Sequence, residues 1–149
     1  MSFMIIFISY VLQKAEDAIS AFSKPTEKLH TIIQSFAKVF DLYKPHISVF
    51  YQESKYLKPH HVKIINEKRD CYRKIVYTVL EEGKQQAEFR LELPTSIIAM
   101  SILGIVNWTY KWYSKDGEYT IEEIANIFTN IISIKLDSRS KAESCLCSI

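Results

Sequence analysis

Apolar residues recur along most of this chain at the three-and-four spacing that lays a single stripe along a helix. From about residue 26 to 43, Leu29, Ile32, Ile33, Phe36, Val39, Phe40 and Tyr43 share such a stripe. The helix breakers fall between the periodic stretches and set the expected boundaries. A first helix is expected over about 4–22, stopping before Ser23-Lys24-Pro25. A second, over about 26–43, is ended by Pro45, and a short helix over about 46–56 carries Ile47, Phe50 and Tyr51. Pro59 then opens a long helix that Gly83 closes as its C′ residue. Residues 84–93 read as a loop in which Phe89, Leu91 and Leu93 alternate. Pro94 opens another long helix to about 113, which Ser114-Lys115-Asp116-Gly117 ends. Thr120-Ile121-Glu122-Glu123 has the form of a capping box and opens a last helix over about 120–136. The expectation is an all-α fold of about six helices in one domain, 1–136, with a Ser- and charge-rich disordered tail at 137–149.

Composition narrows this. A chain of 149 residues holds one core, and three glycines with four prolines are too few for the turns of a β-sandwich or doubly wound sheet. With 48% apolar and 24% charged residues it is globular, and a net charge of +2 gives no overall pull toward nucleic acid or membrane. Cysteines at 71, 145 and 147 are sparse and odd in number, which fits a reducing cytoplasm and no disulfide framework. The opening MSFMIIFISYVL has no leading basic residue and no small-residue cleavage site, and it falls short of the roughly 20 apolar residues of a membrane span. It continues at helical spacing through QKAEDAISAF, so it reads as an amphipathic helix whose apolar start needs cover.

The last two helices are apolar on too many sides. In 94–113 apolar residues from Ile97 to Tyr113 occupy every face, and in 120–136 Ile121, Ile124, Ile127, Phe128, Ile131, Ile132 and Ile134 exceed one stripe. Such helices must be covered all round, either as a central layer or by the same helices of a second chain. We expect a homodimer, with contacts through Ile105, Trp112, Ile124, Phe128 and Ile131.

Two polar residues interrupt the apolar pattern. Arg69 lies in line with Val62, Ile65, Tyr72, Val76 and Val79, where a guanidinium must pair with an acid, snorkel to the edge or meet an anionic ligand. The stretch Lys55 to Lys74 holds seven basic and two acidic residues, a local +5 against −3 for the rest, so a phosphate- or carboxylate-bearing ligand is one reading and a solvated face the other. Asn107 is the amide inside the apolar helix; it bonds a neighbouring helix or a ligand, and Trp108, Trp112 and Tyr113 beside it are either core or the wall of a pocket. His60 and His61 are adjacent and diverge by about 100° on a helix, so they do not chelate together. Cys145-x-Cys147 makes no metal site and Cys145 sits one residue too early for a prenylation box. No nucleophile elbow, phosphate loop or dinucleotide turn is present, so no enzyme, metal or cofactor is expected.

The string L-G-I-V-N-W-T-Y-K-W-Y-S-K-D-G-E-Y-T-I-E-E-I-A from Leu103 to Ala125 resembles the C-terminal half of TetR/AcrR-type transcriptional regulators, above all the subgroup that senses fatty acyl-CoA. E-K-R-D-C-Y at 67–72 and E-E-G-K-Q-Q-A-E-F-R at 81–90 agree, the latter with a Gly-x-x-x-x-x-Phe turn. The resemblance spans about residues 12–136. It implies a helical bundle that binds a small molecule, dimerises through its last two helices as a four-helix interface, and relieves repression when an acyl-CoA or similar amphipathic effector binds. It also implies Arg69, Tyr72, Asn107 and Trp108 as ligand-binding residues, with Arg69 against a phosphate and Asn107 against a thioester or amide. DNA would be reached only through an N-terminal three-helix unit, which this sequence lacks: on the comparison, it starts where the connecting helix would start. A truncated regulator, a disrupted reading frame and a stand-alone sensor are alike open. The competing reading is a purely structural dimerisation module with a filled core and no ligand.

Overall fold

The computed structural model describes the backbone of residues 3–53, 55–89 and 92–136, and the side chains of 4–42, 55–89, 92–109 and 111–131 within it. The tail, with Cys145 and Cys147, lies outside the described residues, as do the side chains of Ile47, Phe50, Tyr51 and Leu91. Among the described residues five helices form the fold: α1 (Phe3–Ala21), α2 (Pro25–Glu53), α3 (Pro59–Gln85), α4 (Thr95–Trp112) and α5 (Ile121–Leu136). The expected all-α bundle is what forms, with five helices because α2 is continuous. Pro45 does not end it. A proline inside a helix forfeits its own bond to the carbonyl four residues back, but the neighbouring turns can carry the helix on.

Helix α2 is the axis of the bundle, packed by α1, α3, α4 and α5 in turn. Its stripe supplies Leu29, Ile32, Ile33, Phe36, Val39 and Phe40 to the core, where they meet Val11, Ala15 and Ala18 of α1 and Val76, Val79 and Leu80 of α3. Polar ties fix the α2–α3 pairing. The Lys28 ammonium donates to both carboxylate oxygens of Glu82 at 3.0 Å, and the Glu88 carboxylate accepts from the Thr26 amide at 3.1 Å and its hydroxyl at 2.8 Å. Glu88 thereby supplies an acceptor to one of the otherwise unsatisfied amides in the first turn of α2.

Gly83 does not act as a C′ residue: it lies inside α3 and its φ is not positive. The helix ends one turn later in a Schellman motif. The Glu88 amide donates to the Gly83 carbonyl at 2.8 Å, the Ala87 amide to Lys84 at 3.1 Å, and Ala87 takes the left-handed position at φ 59°. Glycine costs nothing there whereas an L side chain costs about 1–2 kcal/mol. Ala87→Gly is therefore expected to stabilise the protein by about 1 kcal/mol, read as a higher urea midpoint at unchanged m.

The capping box at the head of α5 forms as the sequence indicates. The Glu123 amide donates to the Thr120 hydroxyl at 3.2 Å, and the Thr120 amide donates to the Glu123 carboxylate at 3.3 Å. At the tail of α4, Tyr113 is buried and its hydroxyl donates to Asp41 of α2 at 2.7 Å. Burial, with that carboxylate as acceptor, pushes the Tyr113 phenol up to about 12, so it stays a protonated donor.

Candidate functional site

Helix α4 carries three faces, which is why its sequence looks apolar all round. Ala99, Ile102, Val106 and Thr109 enter the core; Ile97, Ile105, Trp108 and Trp112 point outward; Met100, Leu103, Gly104 and Asn107 border a cavity of about 540 Å³. The other walls come from Met4, Phe7 and Ile8 of α1, Phe36 and Phe40 of α2, and Ile65, Arg69, Asp70, Tyr72 and Arg73 of α3. That volume suits a small organic molecule.

The inner wall is aromatic. Phe36 stands 5.6 Å from both Phe40 and Tyr72, ring centre to ring centre, and Phe7 stands 6.4 Å from Phe36 and 6.2 Å from Phe40. These rings, with Ile8 and Ile65, are buried or nearly so. The exposed lining residues, Arg69, Asp70, Arg73, Met100, Gly104 and Asn107, form the mouth. Arg73 pairs with Asp70, which balances both charges. Among the described residues Arg69 makes no ion pair, so the mouth has one uncompensated cation. An apolar body inside and an anionic group at the mouth would satisfy both chemistries.

Three of the four expected ligand residues, Arg69, Tyr72 and Asn107, thus meet at one cavity. Arg69 and Asn107 interrupt apolar stripes because those stripes face the cavity there, so neither polar group is buried in packed core. Trp108 does not join them. It sits on the outward face, 60% exposed, with the Lys111 ammonium 6.0 Å from its ring centre. Of the five expected dimer contacts, Ile105, Trp112 and Ile131 are exposed, whereas Ile124 and Phe128 are buried in the chain's own core. Among the described side chains of α5 the outward apolar residues are Ile127 and Ile131, one turn apart, and Trp112 of α4 stands edge-on to Phe128 at 6.2 Å. Phe7, Phe36 and Phe40 escaped the sequence reading as wall residues because a cavity lining and a packed core have the same pattern. Gly104 was the signal available, a glycine inside an apolar helix. A Cβ built on it meets nothing within 4 Å.

Among the described residues no cluster of His, Cys, Asp or Glu is arranged to hold a metal, and no helix is long and apolar enough to cross a membrane. Residues 23–134 match the profile of the tetracyclin repressor-like C-terminal domain. The chain belongs to that family. Solved structures share the fold at low identity. The ketosteroid transcriptional regulator KstR2 of Mycobacterium tuberculosis superposes with a TM-score of 0.81 at 17% identity, over 89% of this chain and 68% of that one. The TetR family transcriptional regulator PfmR from Thermus thermophilus gives 0.81 at 23% identity, over 88% and 71%. AibR, solved in complex with isovaleryl coenzyme A and operator DNA, gives 0.70 at 20% identity, over 86% and 71%. No curated protein sequence matches this TetR-type domain.

Proposed function

We propose that this chain is the effector-sensing and dimerisation domain of a TetR-family transcriptional regulator, and that its effector is an acyl-CoA or a similar amphipathic molecule. The observation that carries the reading is the aromatic cavity with an uncompensated arginine at its mouth. An acyl chain would lie among Phe7, Phe36, Phe40 and Ile65. Phosphate oxygens would take the Arg69 guanidinium, and the thioester carbonyl would lie at the level of Asn107. The acyl-CoA complex of the structurally similar AibR supports the ligand class. The domain works in the cytoplasm as a homodimer, joined through the outward faces of α4 and α5. It reaches DNA only through an N-terminal unit attached to such a domain, and effector binding lowers operator affinity by favouring one arrangement of that dimer.

Thermal melts of the purified chain against esters from butyryl- to palmitoyl-CoA test this. At a hundredfold excess over Kd a ligand adds about 2.7 kcal/mol, several degrees in Tm for a domain of this size. Arg69→Ala is expected to weaken binding of the CoA ester about 10–100-fold, the worth of a charge-assisted hydrogen bond, and to leave Tm without ligand unchanged. A flat response across the whole panel would favour the structural dimerisation module instead.

A further inference from the structure

The Tyr72 hydroxyl is the one side-chain polar group among the buried residues that line the cavity. Tyr72 is 4% exposed, and its ring is held 5.6 Å from Phe36. Its hydroxyl makes no hydrogen bond among the described residues, and burial alone raises its pKa, so it stays a neutral donor. A buried hydroxyl without a partner forfeits its hydrogen bond to water with nothing in return, and phenylalanine would fill the same space without that cost. Such groups are few in folded proteins, and each points to something that meets it. Here the neighbouring open volume is the cavity itself.

We infer that the part of the effector inside the cavity carries an oxygen that bonds the Tyr72 hydroxyl, making the ligand a hydroxy-, keto- or carboxy-substituted acyl thioester and not a plain saturated one. This rests on the acyl-CoA reading above. The thioester carbonyl does not serve, because it stays with the headgroup at the exposed level of Asn107 and Arg69. The polar wall group then selects by the same asymmetry that lets any buried donor reject a ligand lacking its partner: the wrong ligand leaves the hydroxyl dry and unpaired.

The test is calorimetric titration of wild type and Tyr72→Phe with octanoyl-CoA, 3-hydroxyoctanoyl-CoA, 3-oxooctanoyl-CoA and the CoA ester of suberic acid. Wild type is expected to bind at least one oxygenated ester about tenfold more tightly than octanoyl-CoA, one good hydrogen bond's worth. Tyr72→Phe is expected to bring that ratio close to one by weakening the oxygenated ester, with octanoyl-CoA within about twofold of wild type. The variant should melt no lower than wild type, since the atom it removes has no protein partner. Equal binding of all four esters by wild type, or a preference that Tyr72→Phe leaves intact, would overturn the inference while the acyl-CoA reading stands. Failure of every ester to bind would remove that reading and the inference with it.

Discussion

Gly83→Ala is expected to destabilise the domain by about 1–3 kcal/mol, although alanine is the better helix former by about 1 kcal/mol. The glycine lies buried in α3 directly under the Phe89 ring, which folds back from the following loop into the core. A Cβ on Gly83 would stand 2.0 Å from Phe89 Cδ2 and 2.2 Å from Cε2. The ring must leave, and with it goes the burial of an aromatic side chain, worth about 1.5–3 kcal/mol. The Glu88 and Phe89 amides that bond the Gly83 carbonyl, at 2.8 and 3.1 Å, would be pulled with it. Urea unfolding of the two single variants and Gly83→Ala/Phe89→Ala checks the mechanism. Once Phe89 is alanine the clash has no partner, so the double variant should be no less stable than Phe89→Ala alone. Additive losses would show that the glycine acts through something other than that ring.

The second large effect concerns assembly. Ile105→Glu and Ile131→Glu each place a carboxylate on the outward apolar face, where Trp112 is 51% and Ile131 41% exposed. Neither side chain is buried in the single chain, so helicity and the unfolding midpoint of a diluted sample should hold. A homodimer joined there loses at least about 2 kcal/mol per charge at its centre, about thirtyfold or more in Kd. Sedimentation velocity at micromolar concentration should show wild type as a dimer and each variant shifted toward monomer. A monomeric wild type would mean that these residues are an ordinary exposed surface.

Much of the fold was legible because its signals are local. Pro25 and Pro59 open helices, Pro94 precedes one, and Thr120 with Glu123 makes its reciprocal cap, all within a few residues of chain. Pro45 and Gly83 misled for the opposite reason. Each breaks a helix by local rule, but α2 runs through the one, and α3 keeps the other because only glycine leaves room for Phe89. That contact joins residues on either side of a turn, and nothing in the periodicity announces it.

The site was half legible. Arg69 and Asn107 stood out as polar groups in apolar stripes, and both border the cavity. Phe36 and Phe40 could not stand out, since their spacing is that of any core residue, and only the absence of an opposing side chain makes them a wall. Trp108 lies one residue along α4 from Asn107, and the helical turn of about 100° carries it to the outward face. The same geometry puts Ile124 and Phe128 inside and Ile127 and Ile131 outside on α5.

Gly104→Leu tests the central claim, that the cavity is an effector site, most directly. A Cβ at this position meets nothing within 4 Å and leucine is the better helix former, so the fold and its Tm should hold or improve. It would occupy the space between Leu103, Asn107 and the α3 wall. Calorimetry with octanoyl-CoA and its 3-hydroxy derivative should show wild type binding one molecule per chain and Gly104→Leu binding at least tenfold more weakly. Equal binding by both proteins would place the ligand elsewhere on the molecule, and no binding by either would contradict the account.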